Sequence, residues 1–157
     1  MILITIIGLL LAVAAIAAVI ALIGYRALGP AARRDYAYKS KHNILGDPVD
    51  EAGYVRAYGR YHAPRRAAYI AGTLVLMALL TAPFLAFLTF MFEYSWRLGG
   101  QERAYEPGYL VWQFMLFGAV IAGWALVAFL GARRYYKFLP TSLDVEIAKE
   151  FKPDFIS

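Results

Sequence analysis

Residues 67–92 read AAYIAGTLVLMALLTAPFLAFLTFMF, 26 positions without one Asp, Glu, Lys or Arg. A helix rises about 1.5 Å per residue, so about 20 apolar residues cross the roughly 30 Å hydrocarbon core of a bilayer. This stretch is long enough to span, and its flanks mark its limits: Arg65 and Arg66 stand before it and Glu93 after it. Two further windows have the same character. Residues 2–25 and 107–132 hold 24 and 26 residues and again no acidic or basic side chain. The three windows take up about half of the 157 residues. The chain therefore reads as an all-α integral membrane protein with three transmembrane helices, at 2–25, 67–92 and 107–132. A loop at 26–66, a loop at 93–106 and a tail at 133–157 complete a single membrane domain.

The composition agrees. The chain is 61% hydrophobic and 17% charged, where a soluble domain averages about 45–50% and about 25%. A soluble enzyme, a secreted disulfide scaffold and a disordered tail are excluded. The roughly 80 residues outside the windows are too few for a second domain with its own core. There is no cysteine, which removes thiolate nucleophiles and iron–sulfur ligation within this chain. The first window starts apolar at Ile2 and runs to Tyr25, longer than the apolar core of about 7–15 residues in a signal peptide. It is expected to stay as a membrane helix.

Lys and Arg set orientation. Of the 16, nine lie between the first two windows, two (Arg97 and Arg103) between the second and third, and five after the third. The long loop and the C-terminus are expected in the cytoplasm and the N-terminus outside. Ala/Gly/Arg-rich usage without a transit-like leader favours a bacterial inner membrane. The formal charge of +5 then reads as topology and contact with anionic phospholipids rather than nucleic-acid binding.

Within the cytoplasmic loop, Gly29-Pro30 reads as a helix stop. Farther on, Asp47 suits an N-cap and Pro48 the first helical position, with Asp50 and Glu51 at the positive end of the dipole. The helix is expected over about 48–62, ending before Pro64. Tyr54, Tyr58 and Tyr61 share one face of it and Arg56 and Arg60 another, the pattern of a helix lying at a membrane surface. With Arg65, Arg66, Arg133 and Arg134, these residues form the expected contact set for lipid headgroups or a partner. Gly131 should end the third span. In the tail, Thr141 or Ser142 can cap a short helix carrying Leu143, Ile147 and Phe151 on one side, with Pro153 ending it.

Between helices in lipid the hydrophobic drive is absent, so small residues that allow close backbone approach mark packing faces. Ala14, Ala18 and Ala21 form such a face on the first span, and Gly118, Ala122 and Ala125 on the third. Pro83 should kink the second span, with Thr81 available to satisfy freed backbone groups.

Haem ligation in a helical bundle asks for His on spanning helices, and the two histidines, His42 and His62, lie in the loop. Proton or ion translocation asks for charge inside the bilayer, and the three windows hold none. His42, Asp47, Asp50 and His62 lack metal-ligand spacing. No nucleophile-elbow, P-loop or dinucleotide motif occurs. The expectation is no catalytic or metal site, no cofactor ligated by this chain, and bound lipids.

These features favour a non-catalytic accessory subunit of a larger inner-membrane complex, of the energy-converting electron-transport kind, with other integral membrane subunits as partners. The alternatives are a small homo-oligomeric transporter or channel with Pro83 as a hinge, and a quinone- or lipid-handling enzyme with its acids at the interface, using Glu93, Tyr94 or the Tyr54/Tyr58 face.

Overall fold

The computed structural model describes residues 2–45 and 49–151. Among them the secondary structure is helical throughout: α1 (Ile2–Lys41), α2 (Glu51–His62), α3 (Arg65–Leu98), α4 (Leu110–Lys137) and α5 (Leu143–Phe151), with a single 3-10 turn at Arg103–Tyr105. Three helices, α1, α3 and α4, are long and apolar enough to cross a membrane.

Each long helix outruns its apolar window. The largest difference is in α1, which continues through Gly29-Pro30 to Lys41, so the expected stop is corrected. Pro30 lacks an N–H and obstructs one carbonyl a turn earlier, a local cost that packing outweighs. Ala32 is buried, and Tyr36 lays its ring against Tyr54, centroids 5.6 Å apart, and donates its hydroxyl to the Val49 carbonyl at 3.3 Å. Likewise α3 runs on to Leu98. Glu93 and Arg97, expected in a loop, are one turn apart on that helix and paired with each other. Gly131 likewise does not end α4, which continues to Lys137.

The start of α2 also differs. Asp50 is the N-cap, its carboxylate accepting from the Gly53 N–H at 3.0 Å, and the helix begins at Glu51. The expected cap and first turn, Asp47 and Pro48, lie outside the described residues, as does Pro153 beyond α5. The cap of α5 is Ser142, whose Oγ accepts from the Val145 N–H at 3.2 Å.

The chain divides into two compact units. The first combines Met1–Ile16 with Tyr69–Arg134, and in it α3 and α4 run antiparallel. Their approach is set by glycine. A Cβ on Gly123 would sit 2.9 Å from Phe84 Cε1, and one on Gly131 would sit 2.5 Å from Thr73 Oγ1. The second unit combines Ala17–Ala68 with Tyr135–Ser157. Its centre is α2, which packs antiparallel on α5 and also receives the C-terminal part of α1. Gly53 faces the Phe151 ring with no room for a side chain. Gly24 on α1 meets the Pro64 ring, where a Cβ would lie 2.9 Å from Cγ.

Candidate functional site

In the second unit, Tyr54 is fully buried although its hydroxyl is polar. Burial without a partner would cost about 1–3 kcal/mol, and the last turns of α1 supply two. Tyr54 donates its hydroxyl proton to Asp35 Oδ2, and Lys39 Nζ donates to the same hydroxyl oxygen at 2.9 Å. Asp35 and Lys39, one helical turn apart, are themselves paired at 3.1 Å. Burial, followed by the hydrogen bond to the Asp35 carboxylate, pushes the Tyr54 phenol above its ordinary range, against the opposing pull of Lys39. The neutral phenol is thus the stable form, and it ties the loop helix to α1. Tyr58 continues the aromatic row, 6.2 Å from Tyr54 and 4.2 Å from the His62 ring, with Tyr61 edge-on to His62 at 4.8 Å.

The opposite face of α2 is a charge clamp onto α5. Arg56 Nε donates to Glu150 Oε1 at 2.6 Å. Arg60 Nε donates to Glu146 Oε2 at 3.1 Å, and Arg60 Nη2 donates to Glu150 Oε2. Lys149 completes the set by donating to Glu146 Oε1 at 2.7 Å. Glu146 is buried, yet its carboxyl lies below the ordinary glutamate range, because the Lys149 hydrogen bond, with help from Arg60, outweighs desolvation. Glu150 is lowered by its bonds to Arg60 and then Arg56. Arg65 fastens the junction: Nη2 donates to the Arg60 carbonyl at 2.8 Å, and Nη1 donates to the Phe138 carbonyl.

Within the first unit, the deep polar contact is between α3 and α4. Thr81 is buried and donates its hydroxyl proton to the Met77 carbonyl at 2.6 Å, while its oxygen accepts from Trp124 Nε1 at 3.0 Å. Thr81 therefore bonds a carbonyl one turn back and bridges to α4. A cavity of about 350 Å³ adjoins it, lined by Pro83, Phe84, Gly123, Leu126 and their neighbours.

The residues singled out in the sequence are placed as follows. Tyr54 is turned inward, while Tyr58 and Tyr61 are partly exposed. Arg56, Arg60 and Arg65 are engaged within the chain, as above. Arg66, Arg133 and Arg134 are exposed. On α1, Ala14 and Ala21 are buried with Ala17, whereas Ala18 is exposed. On α4, Gly118, Ala122 and Ala125 are all exposed, and nothing lies within 4 Å of the position of a Gly118 Cβ. The contacts of α4 with α3 run instead through Gly123, Trp124 and Gly131.

Asp35, Lys39, Glu146, Glu150 and Trp124 lie outside the set of site residues expected from the sequence. A signal for the clamp was present: Arg56/Arg60 and Glu146/Glu150 share a spacing of four, so each pair lies on one helix face with complementary sign. No such signal connects Asp35 with Tyr54, which only the extension of α1 brings together. Comparison with protein-family models, with curated proteins and with solved structures finds no match to this chain.

Proposed function

We propose that the chain is a non-catalytic accessory subunit of a larger bacterial inner-membrane complex, of the energy-converting electron-transport kind, with the N-terminus outside and the C-terminus in the cytoplasm. The observation that carries this reading is the state of α4. Of its 28 residues only Val120 is buried, and its small-residue face at Gly118, Ala122 and Ala125 is exposed. A face of small residues in lipid gains by close approach of another helix. Two features support a scaffolding rather than a transporting role. The apolar windows carry no acidic or basic residue, and Arg56 and Arg60 of α2 are spent with Glu146 and Glu150 of α5 on holding those two helices together.

Purification in mild detergent or nanodiscs, followed by mass spectrometry of co-purifying chains, tests the proposal. A stoichiometric set of redox subunits is expected. A pure homo-oligomer would instead favour the transporter or channel alternative. Reporter fusions at Ser157 and at the Gly99-Gly100 turn test the orientation: a periplasm-only reporter active at Ser157 overturns it.

A further inference from the structure

A second cavity, of about 370 Å³, lies in the first unit where α3 turns toward α4. Its walls include the aromatic side chains Phe92, Trp96, Tyr105 and Trp112, with Ser95 and Glu102 as polar members. The volume is in the range of small-molecule sites, about 300–1,000 Å³. Trp and Tyr collect at the level where hydrocarbon gives way to headgroups, so a molecule here can keep an apolar tail in lipid and a polar head among aromatic rings.

The two tryptophans differ in one respect. Trp96 Nε1 donates to the Glu102 carbonyl at 2.9 Å. Trp112 Nε1 is buried and has no hydrogen-bond partner. An indole N–H is a donor only, and leaving it buried and unpaired is costly enough that such groups are uncommon in native proteins. Shielded as it is, Trp112 is to be satisfied by an occupant of the cavity it lines, admitted by the side-chain rotamer changes that commonly accompany binding. That occupant must bring an acceptor oxygen. The aromatic walls suit a flat ring. Glu102, an acidic residue among those lining the cavity, disfavours an anionic phosphate by like-charge repulsion.

We propose that this cavity binds the neutral, carbonyl-bearing ring of a membrane quinone, with Trp112 Nε1 as donor to one carbonyl. The ester carbonyl of a phospholipid offers the same acceptor but not the flat ring. The proposal concerns binding alone and does not depend on which partners the chain has.

The test uses the full chain, indole-15N-labelled, in nanodiscs. The three indole signals are assigned from Trp96→Phe, Trp112→Phe and Trp124→Phe. Titration with a short-tailed ubiquinone analogue is expected to move the Trp112 signal saturably and leave that of Trp124, already bonded to Thr81, in place. In Trp112→Phe the titration, read at Trp96, is expected to weaken about tenfold, the value of one neutral hydrogen bond. An unmoved Trp124 signal reports that this variant is folded. The proposal is overturned if the Trp112 signal ignores the quinone. It is equally overturned if that signal differs between ester- and ether-linked phosphatidylcholine without quinone and the quinone adds nothing, which assigns the acceptor to lipid. Exchange of the Trp112 proton with water and no quinone response, marking a water-filled cavity, also overturns it.

Discussion

Trp124 on α4 donates its indole N–H to the hydroxyl of Thr81 on α3 at 3.0 Å, and Thr81 passes its own proton to the Met77 carbonyl at 2.6 Å. One hydroxyl thus satisfies a donor on the facing helix and an acceptor on its own. In a low-dielectric setting the unpaired alternative is the costly state. Replacing either partner is therefore unequal. Thr81→Val strands the Trp124 N–H, whereas Trp124→Phe leaves Thr81 bonded to Met77. Thr81→Val is expected to lower stability by about 1–2 kcal/mol, in the upper range of such contacts between membrane helices. Reversible unfolding in mixed micelles measures the difference. If Trp124→Phe proves the milder polar loss after its smaller ring is allowed for, the asymmetry holds.

Two glycines on α4 should respond in opposite ways. Gly131 faces Thr73, while Gly118 has open space. Gly131→Leu is expected to destabilise the isolated chain by about 1–3 kcal/mol through overpacking. Gly118→Leu should leave its unfolding midpoint unchanged and reduce co-purification with partner subunits. Both are read from the same two assays, micellar unfolding and pull-down. Loss of midpoint in Gly118→Leu would place the internal packing face elsewhere.

Arg60 joins Glu146 and Glu150 in one grip. Because the guanidinium is itself partly solvent-exposed, its removal costs less than a fully buried pair would. Arg60→Met is expected to weaken α5 docking by about 1–2 kcal/mol. Hydrogen exchange over residues 143–151 should rise severalfold, with α3 and α4 unaffected.

The same clamp makes α5 docking acid-sensitive. Glu146 and Glu150 both titrate below the ordinary glutamate range when folded. The unfolded chain then binds more protons in that window, so stability rises with pH. The contribution is fully present above the ordinary glutamate value and is lost as pH falls through the lowered folded values. Exchange at 143–151 should accelerate as acid passes that window. Glu150→Gln, which cannot titrate, should flatten part of the response.

Tyr54→Phe keeps the buried ring and removes the hydroxyl shared by Asp35 and Lys39. Those two remain paired with each other, so the loss is expected to be moderate, about 1–2 kcal/mol. It should appear as proteolysis of the 42–50 connection before any change in α3 or α4. The raised Tyr54 phenol adds a signed test at the alkaline end. Its folded value exceeds the unfolded one, so its contribution is present below the unfolded phenol value and is lost as pH rises through the folded one. Tyr54→Phe should lack this alkaline loss.

The sequence by itself determined the helical class and the three long apolar helices. An unbroken apolar run of 24 to 26 residues is far longer than a strand, and a helix is the form in which such a run satisfies its own backbone polar groups. It also determined the separate helix ending at His62 and the short capped helix in the tail, because Pro64 and Ser142 act through local geometry. Helix ends were another matter. Gly29-Pro30 and Gly131 are stop signals worth a few kcal/mol at most, and contacts distant in sequence override them: Tyr36 with Tyr54 beyond the first, and Arg65 with the Phe138 carbonyl beyond the second. Which small residues meet a neighbour was likewise a tertiary decision. Ala-rich helices offer several faces of nearly equal smoothness, and only the pairing of Thr81 with Trp124 and of Thr73 with Gly131 selects one. The inward turn of Tyr54 has the same origin: its hydroxyl finds Asp35 and Lys39 only because α1 runs on past Pro30 to Lys41, a continuation that no local preference of those residues announces.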